Sequence, residues 1–260
     1  MMSNLMRLGF TFKLGGTHSA RTMMLEDLRT LLSDVKDPNS LQLTYRQAIC
    51  DQNCLGKRSA MTRMLSYRHL VDLYALDPDC TIFRALRFFW LRDIQGQPLL
   101  ALLCAYSRDS ILRSTRSFVL NVPEEKLVNK LDLEEWIDNQ LPDRFSKTTL
   151  KSTAQNINAT WTKSGHLKGR TSKTRSRALA TPGSMAFALL LGYLTGVRGE
   201  ALFKTEYAAL LDCSFELSID LAQDASSRGW IVLNRVGTII EVLFPNLINS
   251  QEMEWIREQG

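Results

Sequence analysis

Residues 146–180 read SKTTLKSTAQNINATWTKSGHLKGRTSKTRSRALA, and two patterns follow one another there. Leu150, Ala154, Ile157 and Trp161 recur at i, i+4, i+7 and i+11, a single apolar stripe at helical spacing. Ser146 is a favoured N-cap type, and Gly165 suits the C-terminal end. Residues 166–180 then place Gly169-Arg170-Thr171-Ser172 between two short segments with apolar members. This reads as a β-hairpin wing or a flexible basic loop. A helix followed by a basic hairpin follows winged-helix logic: the helix enters a groove and the wing runs along the backbone.

The same window is the charge centre of the chain. Residues 144–199 carry ten cations (Arg144, Lys147, Lys151, Lys163, Lys168, Arg170, Lys173, Arg175, Arg177 and Arg198) and no Asp or Glu. Residues 1–143 hold 18 Lys and Arg against 17 acids, and residues 200–260 hold 4 against 10, so the formal +5 of the chain is local in origin. Segregation of this kind is costly in self-repulsion unless a partner neutralises it, which points to a polyanion, nucleic acid first. The alternative is a solvated basic loop without a partner.

Moving outward, a second basic region precedes residue 75. A short helix over residues 43–51 is followed by Asn53 and Gly56, a tight connection, and then by a longer helix from Ser59. On that helix Met64, Tyr67, Leu70, Val71 and Tyr74 fall on one side, while Arg58, Ser59, Thr62, Ser66 and His69 fall on the other. Arg63 and Arg68 flank the polar side, and no acid occurs between Asp51 and Asp72. The pattern over about residues 43–75 is that of a helix-turn-helix. Lys57 and Arg58 would meet phosphates, and Ser59, Thr62 and Arg63 would meet base edges. The plainer reading is a helical hairpin with a solvated face.

The remaining periodicities give a mainly α chain: a helical bundle with helix-turn-helix and winged-helix-like modules and short β-hairpins. Helices are expected over residues 17–33 and 80–92, then over 99–118 with a bend near Ser107, with a turn at Gly96-Gln97-Pro98 between the last two. Residues 122–143 are acidic and read as a connecting helical segment. Pro182 opens a buried helix over 185–194, and helices follow over 201–211 and 215–227. Strands over 230–233 and 238–244 join at Val236-Gly237. Residues 225–230 echo residues 161–166 in layout, which suggests a second, acidic copy of the helix–hairpin unit. Two domains are expected: residues 1–120 with the helix-turn-helix, and residues 121–260 with a winged-helix-like unit holding the basic segment.

Several functions find no support. Cys50, Cys54, Cys80, Cys104 and Cys213 are odd in number and scattered, which fits reduced thiols. With His18, His69 and His166 the only histidines, no zinc spacing forms. There is no phosphate-binding Gly-rich loop and no nucleophile elbow, so the expectation is a non-enzyme without catalytic residues, metal or cofactor. The most apolar runs, 99–106 and 185–194, fall short of the roughly 20 residues a membrane helix needs. Residues 1–15 lack the apolar segment of a signal peptide. No membrane and a cytoplasmic location are expected.

Three blocks carry a family likeness. Asn53-Cys54-Leu55-Gly56-Lys57-Arg58-Ser59-Ala60-Met61-Thr62-Arg63 is followed by Tyr67-Arg68. Phe187-Ala188-Leu189-Leu190-Leu191-Gly192-Tyr193-Leu194 precedes Gly196-Val197-Arg198-Gly199 and Leu210-Leu211-Asp212. Arg235-Val236-Gly237, Ile240-Glu241-Val242 and Phe244-Pro245 close the set. In order and spacing, over about residues 20–247, the chain resembles the BrxA family, small components of the bacterial BREX anti-phage defence system. The resemblance implies a helical, non-enzymatic, cytoplasmic protein that binds double-stranded DNA beside BREX partners: a methyltransferase, an ATPase and a phosphatase-like protein. It transfers a DNA-contact role to Lys57, Ser59, Thr62 and Arg63. Relatives have also been labelled membrane proteins or likened to an RNA-binding antitermination factor. The charge pattern adds Arg58, Lys147, Lys151, Lys163, Lys168, Arg170, Lys173, Arg175 and Arg177 as DNA-contact candidates. The expected mode is phosphate contact with weak sequence preference. RNA binding and a purely protein-contacting scaffold are the alternatives.

Overall fold

The two apolar runs become the centre of the protein. A computed structural model of the chain describes residues 2–237 and 239–258. Its elements are α1 (Met2–Leu8), a 3-10 turn (Thr17–Ser19), α2 (Leu25–Asp34), α3 (Gln42–Cys50), α4 (Ala60–Tyr74), α5 (Thr81–Trp90) and α6 (Gln97–Arg108). The short helices α7 (Ser110–Ser114) and α8 (Arg116–Leu120) lead to β1 (Leu127–Val128), α9 (Lys130–Gln140) and α10 (Lys147–Lys163). Next come β2 (Leu167–Lys168), β3 (Lys173–Arg175), α11 (Pro182–Leu194), a second 3-10 turn (Gly199–Lys204) and α12 (Glu206–Ala209). The described chain closes with α13 (Phe215–Ser227), β4 (Val232–Val236), β5 (Ile239–Leu243) and α14 (Ser250–Arg257). Mainly helical with short antiparallel strands is thus the observed class.

α11 is apolar on all sides and correspondingly buried on all sides, packed by α5, α6, α12 and α13. The Thr181–Ser184 capping box and Pro182 start it, as the sequence indicated. α6 is buried from Leu99 through Ser107 and joins α11 to α4 and α5. The buried side chains form one continuous cluster from Leu8 to Ile256, with no division near residue 120.

Three expected helices are interrupted, each by a polar side chain that bonds elsewhere. The helix expected from residue 17 starts only at Leu25, after Met24 at φ 50°. His18 is drawn inward to Asp109 and Thr160, and the Thr160 hydroxyl takes the Met23 N–H, so residues 20–24 cannot coil. The helix expected over 99–118 breaks at Asp109, two residues past the anticipated bend, where the carboxylate accepts the N–H groups of Ile111 and Leu112. Thr205 divides the helix expected over 201–211 and caps α12. Gln97 and Pro98, expected in a turn, already belong to α6. The segment between α3 and α4 spans residues 51–59, too long for the three- or four-residue turn of a helix-turn-helix. On α4, Ser66 is buried rather than outward.

β1 is a strand the sequence did not announce, within the acidic connecting segment. It pairs antiparallel with β3, and β3 pairs antiparallel with β2, giving the order β1-β3-β2. Helix α10 therefore sits between a preceding helix and a hairpin, inside the sequence β1-α9-α10-β2-β3. The later run α13-β4-β5 repeats the helix–hairpin layout, with Val232 opposite Leu243 and Val236 opposite Ile239. Thr238, at the start of the second expected strand, and Met1, in the expected leaderless start, lie outside the described residues.

Candidate nucleic-acid interface

Helix α10 is built as its sequence indicated. The Ser146 hydroxyl accepts the Thr149 N–H, and Ala154, Ile157 and Trp161 are buried. The indole of Trp161 donates to the Thr115 hydroxyl at 3.1 Å, which ties α10 to α8. A second tie is polar. His18 Nδ1 lies 2.9 Å from Asp109 Oδ2, and its Nε2 lies 3.0 Å from Thr160 Oγ1. A carboxylate, imidazole and hydroxyl in line resemble a hydrolytic triad, yet all three are sealed from solvent. The arrangement is a strut between α10, the first 3-10 turn and α7. Burial pushes the Asp109 carboxyl up, but His18 and the backbone N–H groups of Leu112 and His18 together bring it below its ordinary value.

With one face fastened, α10 exposes Lys147, Thr148, Lys151, Gln155 and Lys163. A cleft lies on either side of it. On one side the hairpin tip, the start of α9 and α10 enclose about 520 Å³, with Arg170 and Lys173 facing Gln155 and Asn158. Gly169 makes the hairpin tip possible: its φ is +101°, and a Cβ there would collide with the Ser172 carbonyl oxygen. On the other side, residues 20–27 and the start of α4 bring Arg21, Lys57 and Thr62 beside Asn156 and Lys163, around about 330 Å³. The two basic regions separated in sequence thus meet across α10.

The expected site residues divide. Lys147 and Lys151 stand exposed on α10, and Arg58 and Ser59 are exposed at the start of α4, where the Ser59 hydroxyl accepts the Thr62 N–H. Lys163 reaches to 3.5 Å from the Thr22 hydroxyl. Lys57 pairs with Asp27 at 2.7 Å. Arg63 is half-buried, its Nε without a partner among the described residues. In the hairpin, Arg170 is exposed, and Lys173 donates to the Gly169 carbonyl at 2.5 Å. Lys168 pairs with Glu125 at 2.6 Å and Arg177 with Glu124 at 3.0 Å, so the acidic segment before β1 offsets part of the hairpin charge. Arg175 is a correction. It is 3% exposed, close to Asp212 Oδ2 at 2.7 Å and bonded to the Val119 and His166 carbonyls, and it cannot reach an external phosphate. Among the described residues no carboxylate pairs with Arg58, Lys147, Lys151, Lys163, Arg170 or Lys173.

Sequence reading missed Arg21, Gln155, Asn156 and Asn158. Gln155 had a signal, since it lies four residues after Lys151 on the polar side of the stripe. Arg21 had none, because it fell inside an expected helix. His166 is buried between Ser164 and Leu210. A carbonyl only accepts, so His166 Nε2 carries the proton donated to Leu210. Burial, with Arg175 nearby and against the bond to Leu210, holds this imidazole at about 3. Burial raises the thiols of all five cysteines. The described residues contain no group of three or more His, Cys, Asp or Glu able to hold a metal ion, and no described helix is long and apolar enough to cross a membrane. Neither protein-family models nor curated protein sequences give a match to the chain.

Proposed function

We propose that the chain binds double-stranded DNA as a non-enzymatic accessory protein, with α10 as the helix that enters the major groove. The order β1-α9-α10-β2-β3 with sheet order β1-β3-β2 supports reading this unit as a winged helix whose wing tip is residues 169–172. The single observation that carries the proposal is the surface around α10. An uncancelled cationic and amide face of Lys147, Lys151, Gln155 and Lys163 is flanked on one side by Arg170, and on the other by a cleft where Arg21 stands beside Glu26 and the Lys57–Asp27 pair. Phosphate contacts from these cations would supply most of the affinity and little sequence preference. The BrxA resemblance favours the same reading and suggests a cytoplasmic role beside BREX partners. RNA binding is less favoured, because Trp161 and Phe187 of the basic region are fully buried and cannot stack on bases. The test is a titration of labelled duplex DNA at several salt concentrations, with duplex RNA as competitor. The expected result is tight binding that weakens steeply with salt and resists RNA competition. No binding at low salt, or a flat salt response, would overturn the reading.

A scaffold role has its own observation. β4 and β5 expose Val236 and Ile239, at 77% and 72%, beside an α13 whose outward face carries Glu216, Asp220 and Asp224. An apolar and acidic surface of this kind repels phosphate and suits a protein partner. It would be supported if duplex binding proved absent and a defence-complex protein were captured through this hairpin.

A further inference from the structure

We infer that the cleft between the wing, the start of α9 and α10 receives one unpaired nucleotide, base inward and phosphate at the rim. The inference extends the nucleic-acid reading above to a strand that is not fully paired. The cleft, about 520 Å³, lies in the size range of small-molecule sites. Its chemistry is divided as a nucleotide is divided. Leu127 and Val128 of β1 form an apolar wall, Arg170 and Lys173 supply cations at the wing, and Gln155 and Asn158 offer amides from α10.

Two details select a nucleotide over a bare phosphate. Asn158 is only 6% exposed, and its Oδ1 is buried without a hydrogen-bond partner among the described residues. An unmatched buried acceptor is destabilising and calls for a donor. A phosphodiester has none and inorganic phosphate only its P–OH groups, whereas a base offers amino and ring N–H groups on a flat apolar ring, to which the Asn158 amide would present its Oδ1 by turning toward the cleft. Leu127, though apolar, is 62% exposed at the mouth of the cleft, where the face of a base would cover it. In a duplex the ring N–H groups are committed to pairing, only the second amino hydrogen stays free in a groove, and the base faces are stacked. Only an unpaired nucleotide presents face, edge and phosphate together. The source is either an unpaired position in a strand or a free mononucleotide, and the experiment separates them.

The full chain is titrated with two labelled duplexes that differ only by one bulged 2-aminopurine, and separately with AMP and TMP. The expected result is affinity for the bulged duplex at least about fivefold above the paired one, with altered 2-aminopurine emission, since a bulged base needs little energy to leave the stack. In Asn158→Leu, a near-isosteric change that removes the amide, the ratio of the two affinities should fall toward one. Gln155→Ala, at an exposed position, should lower the same ratio and serves alone if Asn158→Leu does not fold. Equal affinity for both duplexes in the unsubstituted chain overturns the inference while leaving the duplex reading intact. If neither duplex binds, the duplex reading fails and the mononucleotide arm decides. Shifts of the Asn158 and Gln155 side-chain amide signals at millimolar AMP or TMP support the cleft as a free-nucleotide site, and unmoved signals overturn it.

Discussion

Arg170 and Arg175 stand five residues apart in one hairpin and do opposite work. Arg170 faces solvent at the hairpin tip, whereas Arg175 joins β3 to the Val119 carbonyl and to Asp212. Removing Arg175 strands a partly buried carboxylate and the carbonyls of Val119, His166 and Ser176. Arg175→Met should therefore lower the unfolding free energy by about 3 kcal/mol, read by urea denaturation, with the DNA affinity of the folded fraction unchanged. Arg170→Ala should leave stability within about 0.5 kcal/mol and reduce the slope of log K against log salt by about 0.9. The reverse pattern would show that the two roles have been exchanged. His166 makes a pH prediction. Above about pH 6.5 it is neutral in both the folded and the unfolded chain. Below that, the unfolded chain takes up a proton that the folded imidazole, held at about 3, refuses. Stability should then fall with acid by up to about 1.4 kcal/mol per pH unit from this residue. His166→Gln should remove that slope between about pH 4 and 6, and an unchanged slope would assign it to other groups.

At the scale of elements, α10 and the β2–β3 hairpin are positioned by a few local devices. The stripe Leu150, Ala154, Ile157 and Trp161 with Ser146 and Gly165 was legible because capping and helical periodicity are properties of neighbouring residues. The third strand was not, because β1 pairs with β3 from some 46 residues away and has no periodicity of its own. The start of α2 was missed for a related reason: the side chain that stops it from forming earlier, His18, bonds to Asp109 and Thr160 far along the chain. The hairpin turn depends on Gly169. Gly169→Ala places a Cβ against the Ser172 carbonyl at a positive φ, and should cost about 1–3 kcal/mol. Faster hydrogen exchange in β2 and β3, with weaker DNA binding and little change in α11, is the expected outcome. Protection equal to that of the unsubstituted chain would show that the turn tolerates the side chain.

For the whole molecule, charge and core give different boundaries. The sequence offered eleven contact cations, Lys57, Arg58 and Arg63 with eight from residues 147–177, but in space Lys57, Lys168 and Arg177 meet carboxylates, Arg63 is half-buried and Arg175 is buried. Six of the expected contact cations remain open, so the slope of log K against log salt should be no steeper than about −5. A slope near −9 would mean that the surface ion pairs open on binding. The boundary expected at residue 120 finds no gap in the core. Residues 17–23 bond to α10, and Trp161 bonds to Thr115. Expressed separately, residues 1–120 and 121–260 should give poorly dispersed amide spectra. Two well-dispersed fragments would show that each half carries a sufficient core.

The sequence by itself determined the helical class, the apolar centres α6 and α11, the caps at Ser59 and Ser146, and the helix–hairpin layout at α13, while leaving residues 166–180 open between a hairpin and a loop. These follow from periodicity and capping, which act over a few residues. Only the tertiary structure decided which cations are free, where expected helices break, and that Lys57 and Thr62 share a cleft with Lys163. Those outcomes depend on partners distant in sequence, Asp212 for Arg175 and Asp109 for His18 among them. A residue's own neighbours carry no record of a charge or hydroxyl brought beside it by folding.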